Sequence, residues 1–203
     1  MSAIAWTLVA LGIGVIVVRR RSIAVALVTA QAMVLAAAAL AEGTSVDAVV
    51  AATALALRGV VLAALLLFLV RRTRELRPVP VGVAPLARAA AAVTLALTLI
   101  WLVPPFGLET HEAEQATLSL VALGLITAAM RRATLFQVLG IVLVENGLAL
   151  AALSLPGEPS LAIEIGVAVD LLLVALVAGV FHDRIFAEFG AGDSAALRSL
   201  RDS

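Results

Sequence analysis

Residues 48–70 read AVVAATALALRGVVLAALLLFLV, and residues 71–77 continue RRTRELR. The first stretch is 23 residues long and carries one charge, Arg58. A bilayer's hydrocarbon core is about 30 Å thick, so a spanning helix takes roughly 17–25 apolar residues. In lipid the backbone has to satisfy its own hydrogen bonds, so such a run is helical. The arginines that close it (Arg71, Arg72, Arg74 and Arg77) mark a boundary with water.

Working outward, six more runs have this character: 2–18, 22–41, 86–103, 114–130, 133–155 and 161–182. Turn-forming stretches separate several of them: Glu42-Gly43-Thr44-Ser45, Pro104-Pro105-Phe106-Gly107 and Pro156-Gly157-Glu158-Pro159. Over the 203 residues, 63% are apolar and 14% charged, with a mean hydropathy of +1.15. A soluble domain has about 25% charged and about 45–50% apolar residues. One soluble core of this size cannot hide so much apolar surface. The composition excludes a soluble enzyme, a nucleic-acid binder and a disordered chain. The expected fold is an all-α polytopic membrane protein with seven transmembrane helices.

The arginines set the expected orientation. All 14 basic residues are arginine, balanced by 14 acids. Alternate connections hold Arg19, Arg20 and Arg21, then the cluster at 71–77, then Arg131 and Arg132; the tail adds Arg184, Arg198 and Arg201. The remaining connections hold Glu42, Asp47, Glu109, His111, Glu112, Glu114 and Glu158, and no arginine. This is the positive-inside pattern. It places the N-terminus outside and the C-terminus in the cytoplasm. The first run has no basic segment before it, so it is expected to be an uncleaved span. Residues 183–189 are compatible with a short surface helix or a frayed tail.

Ionisable groups deep in a span are costly, which makes them functional candidates. Three qualify: Arg58, Glu145 and Asp170. Each lies 13 or 14 residues from a cytoplasmic arginine (Arg71, Arg132 or Arg184), which is about 20 Å along a helix. All three are therefore expected near one level. Arg58 pairs with one carboxylate, takes part in a proton path, or does both. Desolvation and a neighbouring guanidinium push a carboxylate's proton affinity in opposite directions, which is how a relay group is tuned.

Secondary candidates are Gln31, Glu164 and His182. Gln31 is ten residues from Arg21 and is expected nearer the cytoplasm. Glu164 lies near the outer interface, as a relay group or as a helix-start acid favoured by the dipole. His182 ends the last run as an interfacial imidazole. His111 is expected to sit in the outer loop, and Arg88 to snorkel to the cytoplasmic surface. Gly140 and Gly147, seven residues apart, suit close helix packing. With no cysteine and only two histidines, the sequence offers no metal site, and no cofactor is expected.

Residues 131–184 read RRATLFQVLGIVLVENGLALAALSLPGEPSLAIEIGVAVDLLLVALVAGVFHDR. With the seven-span plan and the E-N-G and E-I-G-x-x-x-D signatures, this resembles hydrogenase-4 component E, the HyfE-type subunit of membrane-bound NiFe hydrogenase assemblies. The last three runs are also similar to the K subunit of respiratory complex I and the C subunit of Mrp-type antiporters. Arg131, Arg132, Leu135, Phe136 and Gly140 fit the K-subunit pattern. Its first glutamate falls at Val142, and Glu145 lies three positions later, about one helical turn. Its second carboxylate falls at Asp170, as an aspartate.

The resemblance implies a four-helix part over 1–113, a three-helix K-subunit-like part over 114–184 and a cytoplasmic tail over 185–203. It implies a non-catalytic subunit of a complex I-like assembly in a bacterial or archaeal inner membrane, with no redox active site of its own. Glu145, Asp170 and Arg58 would serve a proton or ion path. The implied partners are antiporter-like membrane subunits and, indirectly, peripheral NiFe and iron–sulfur subunits, with no nucleic acid. The alternatives are an Mrp-type antiporter subunit, an independent transporter or a structural membrane scaffold. Against the independent transporter, there is no clear internal repeat.

Overall fold

The computed structural model describes residues 2–42, 46–72, 84–131 and 133–156. The expected seventh span, with Glu164, Asp170 and His182, lies outside the described residues. Six α-helices account for the described elements: α1 (Ser2–Val17), α2 (Arg21–Glu42), α3 (Val46–Arg72), α4 (Pro85–Leu102), α5 (His111–Met130) and α6 (Thr134–Leu153). The expected runs and these helices agree to within a few residues at each end. Five helices, α2 to α6, are long and apolar enough to cross a membrane; α1 is apolar but shorter.

Helix ends follow local chemistry. Pro85 opens α4 at its first turn, where its missing N–H costs no hydrogen bond. Thr110 caps α5: its side chain accepts from the Ala113 amide, and Glu112 and Glu114 sit in the positive first turn. Before it, Gly107 adopts φ +83°, a conformation few other residues take readily. Thr110→Ala should lower stability by about 1 kcal/mol. Thermal unfolding in detergent reads this, and an unchanged midpoint would show that the cap adds nothing.

The helices pack in two layers. α3, α2, α1 and α4 lie side by side in that order, while α6 rests on α2 and α5 rests on α1 and α4. The closest pair is α5 with α6. Built on Gly124, a Cβ atom would lie 2.5 Å from the Gly140 carbonyl oxygen; on Gly140, one would lie 2.6 Å from the Ala128 nitrogen. Gly147 meets the Leu120 Cβ position at 3.0 Å. Gly140 and Gly147 thus face α5 as their spacing suggests, and Gly124 is the partner that lets the backbones touch. The positions pair about a midpoint near 132–134, where α5 turns into α6, as in an antiparallel hairpin. Small residues are the usual means of bringing helices together where lipid removes the hydrophobic drive.

The core runs through both layers and includes Leu8, Ile16, Leu35, Leu120, Phe136, Leu139 and Leu143, all essentially inaccessible. The outside is apolar too. On α4, Leu86, Val93, Leu97, Trp101 and Leu102 are exposed, as are Leu57, Val60 and Phe68 on α3. Trp6 near the start of α1 and Trp101 near the end of α4 are both exposed. Each lies at the arginine-poor end, where interfacial tryptophans sit in membrane proteins.

Candidate polar relay within the helix bundle

The elements carry polar groups inward at one level. Arg58 on α3 is 5% exposed and Glu145 on α6 is 8% exposed. Arg58 Nη1 donates to Glu145 Oε1 at 3.0 Å, an ion pair inside the bundle. Its other arm, Nη2, donates to Asn146 Oδ1 at 2.7 Å. The Asn146 amide nitrogen donates to Gln31 Oε1 at 3.1 Å, and Gln31 Nε2 donates to the Leu8 carbonyl at 2.7 Å. The result is a continuous chain from Glu145 through Arg58, Asn146 and Gln31 to the backbone of α1, tying four helices together. Gln31 and Asn146 are fully buried.

Each member has a reason to be there. A buried charge needs a counter-charge and hydrogen bonds to offset its desolvation. Guanidinium supplies a flat fork of donors, so one Arg58 serves a carboxylate and an amide on adjacent residues of α6. Gly59, next to Arg58, lets α3 pack closely on α2: a Cβ there would lie 2.6 Å from Ala32 Cβ. Gly12 plays a similar part near Gln31, with Leu123 at 3.0 Å from its built Cβ. A small cleft, open on one side, lies between α2, α3 and α6 beside Arg58 and Asn146.

Of the expected site residues, Arg58, Glu145 and Gln31 come together. Gln31 is a member of the chain, not a separate group nearer one surface; its long side chain covers the roughly one-turn offset. Asn146 was missed, although it stands in the E-N-G motif. The signal was an amide beside the glutamate in an apolar run, where an unbonded polar group is costly.

Two further expectations change. Arg88 does not snorkel; it is 5% exposed, on the same buried face as Ala92 and Ala96 of α4, the helix that packs against α1 and α5. His111 is largely exposed, but its Nδ1 lies 3.3 Å from Glu114 Oε2. Glu114 itself is buried, and its Oε1 accepts from the amides of Phe106, Gly107 and Leu108 at 3.0–3.3 Å. That carboxylate organises the α4–α5 connection.

Among the described residues, no group of three or more His, Cys, Asp or Glu side chains is arranged to hold a metal ion. No protein-family model matches the chain, and no solved structure matches it. Over 126 residues it is 32% identical to uncharacterized protein Rv0085 of Mycobacterium tuberculosis, a match covering 58% of this chain and 57% of the relative. The chain thus spans a little over half of that relative's length.

Proposed function

We propose that this chain is a non-catalytic membrane subunit of a complex I-like NiFe hydrogenase assembly, of the hydrogenase-4 component E type. In this reading it has seven spans, its N-terminus outside and its C-terminus cytoplasmic, in a bacterial or archaeal cell membrane. It contributes to a proton or ion path and carries no redox centre; those belong to peripheral partner subunits. Glu145 is the titratable group of the described part, Arg58 biases its charge, and Asp170 continues the path.

The observation that carries this is the Arg58–Glu145 pair, joined through Asn146 and Gln31 to four helices. Intramembrane charges that face a bundle interior and pair with one another characterise proton relays. The same chain of hydrogen bonds also favours a second reading, a scaffold in which the pair only fixes helix register.

Glu145→Gln and Asp170→Asn separate the two. Both keep size and hydrogen bonding and remove the titratable charge. In the assembled complex reconstituted in vesicles, each is expected to abolish most ion translocation while subunits still co-purify. Normal translocation in both variants would leave the scaffold. Co-purification tests the assembly: a NiFe large subunit is the expected partner, and antiporter subunits without redox partners would indicate the Mrp type.

A further inference from the structure

The hydrogen bonds of the polar chain run in one sense, and groups of fixed character set that sense. Gln31 Nε2 donates to the Leu8 carbonyl at 2.7 Å, and Gln31 Oε1 accepts from Asn146 Nδ2 at 3.1 Å. Asn146 Oδ1 accepts from Arg58 Nη2 at 2.7 Å, and Arg58 Nη1 donates to Glu145 Oε1 at 3.0 Å. A backbone carbonyl can only accept, and a guanidinium can only donate. Between Leu8 and Arg58, therefore, each amide has one allowed orientation. Turning Asn146 alone would set its NH2 against Arg58 Nη2 and its oxygen against Gln31 Oε1. Turning Gln31 as well would set the Gln31 oxygen against the Leu8 carbonyl. Both amides are fully buried, where a misfaced donor or acceptor costs its whole desolvation. The anchor on α1 is reachable because residue 12 is glycine: a Cβ built there would already touch Gln31 Nε2, at 3.4 Å.

This orientation divides the Arg58 fork. One arm is held by Asn146, a neutral group whose hold does not depend on the charge of Glu145. The other arm faces Glu145. When Glu145 takes up a proton, Arg58 stays in place, so its field on the carboxylate is organised in advance of any charge change. The same chemistry makes the chain a poor wire. The guanidinium keeps its protons and the two amides do not titrate, so none of the three takes a proton from Glu145 and passes it on.

We propose that Gln31 is a positioning residue: acting through Asn146, it locks the Arg58 fork against Glu145, and the chain mounts that carboxylate while carrying no proton itself. This rests on the reading of Glu145 as the titratable group of an ion path.

The test uses the full chain with the subunits that accompany it, in double-mutant cycles read by unfolding in detergent. Gln31→Met keeps the side-chain length and removes both hydrogen bonds. Its joint effect with Arg58→Ala on the unfolding equilibrium should depart at least about twofold from the product of the single effects. If Arg58→Ala does not assemble, the milder Glu145→Gln takes its place in the cycle. In an Asn146→Ala background the coupling should vanish. Nitrogen NMR of Arg58 in lipid gives the direct signature: two distinct Nη signals in the wild type, averaged in Gln31→Met. Additive effects, coupling that persists in Asn146→Ala, or Nη signals unchanged by Gln31→Met would each overturn the proposal. In vesicles, Gln31→Met should lower ion translocation without abolishing it, whereas Glu145→Gln abolishes most of it. Equal loss in the two variants, with subunits still assembled, would make Gln31 part of the conducting path and overturn the proposal too. Normal translocation in Glu145→Gln would instead remove the relay reading, and the cycles then decide the lock on Arg58 by themselves.

Discussion

Arg58→Ala is expected to destabilise the bundle by about 3–5 kcal/mol, the cost of breaking a buried pair by removing one member. The change takes away the cation facing Glu145 and both donors of the fork, so the Asn146 carbonyl oxygen loses its hydrogen bond as well. The Asn146–Gln31–Leu8 segment then has nothing to anchor it to α3. Unfolding in mixed detergent micelles reads the loss. Adding Glu145→Gln to Arg58→Ala should recover a large part of it, because a neutral amide tolerates the site better than a carboxylate beside no guanidinium. Glu145→Gln alone should cost less than Arg58→Ala, since the amide oxygen still accepts from Nη1. If Arg58→Ala changes stability by less than about 1 kcal/mol, the pair is not a main tie between α3 and α6. Absence of rescue by Glu145→Gln would show that the pair's charge balance is not the source of the cost.

Gly140→Leu should have an effect near the upper end of the 1–3 kcal/mol that overpacking usually costs. The new Cβ would lie 2.6 Å from the Ala128 nitrogen and the Gly124 oxygen. Both are backbone atoms, so no rotamer change relieves the clash and α5 must part from α6. The displacement also carries Glu145 and Asn146, less than two turns further along α6, away from Arg58. If the pair serves an ion path as proposed, ion translocation should fall together with stability. Gly14→Ala is the control. There the added Cβ meets only the Leu27 side chain, at 3.0 Å, which is able to move. Equal costs for the two substitutions would show that the α5–α6 contact is looser than its geometry implies.

The membrane helices were legible in the sequence because lipid imposes a one-dimensional rule. A run of apolar residues long enough to cross has one backbone solution, a helix, so hydropathy locates α2 to α6 without knowledge of their neighbours. Arg58 and Glu145 stood out for a related reason. A charge in such a run is so costly that it has to be meant for a partner, and counting residues from the boundary arginines placed both at one depth. Depth is only one coordinate, however. Which helix faces which depends on rotation about each axis, and these helices are apolar nearly all round, so no stripe reveals it. The sequence left Arg58 a choice between Glu145 and Asp170.

The fold decided what pattern left open. Arg58 meets Glu145 across 87 positions of sequence, and Asn146 meets Gln31 across 115. Such pairings follow from how backbones cross, and the crossing of α5 with α6 is fixed by Gly124 against Gly140. The packing of α4 against α1 and α5 buried Arg88, which its place near a helix end suggested would reach water. Asn146 shows the limit most plainly. An amide next to a glutamate reads as an incidental neighbour until α3 brings a forked donor against both. The sequence determined that charge would lie within the bundle and at what depth, because burial cost is a local property of a run. Only the tertiary structure determined which groups share that charge, because hydrogen bonds act over about 3 Å and depend on helix rotations that hydropathy does not encode.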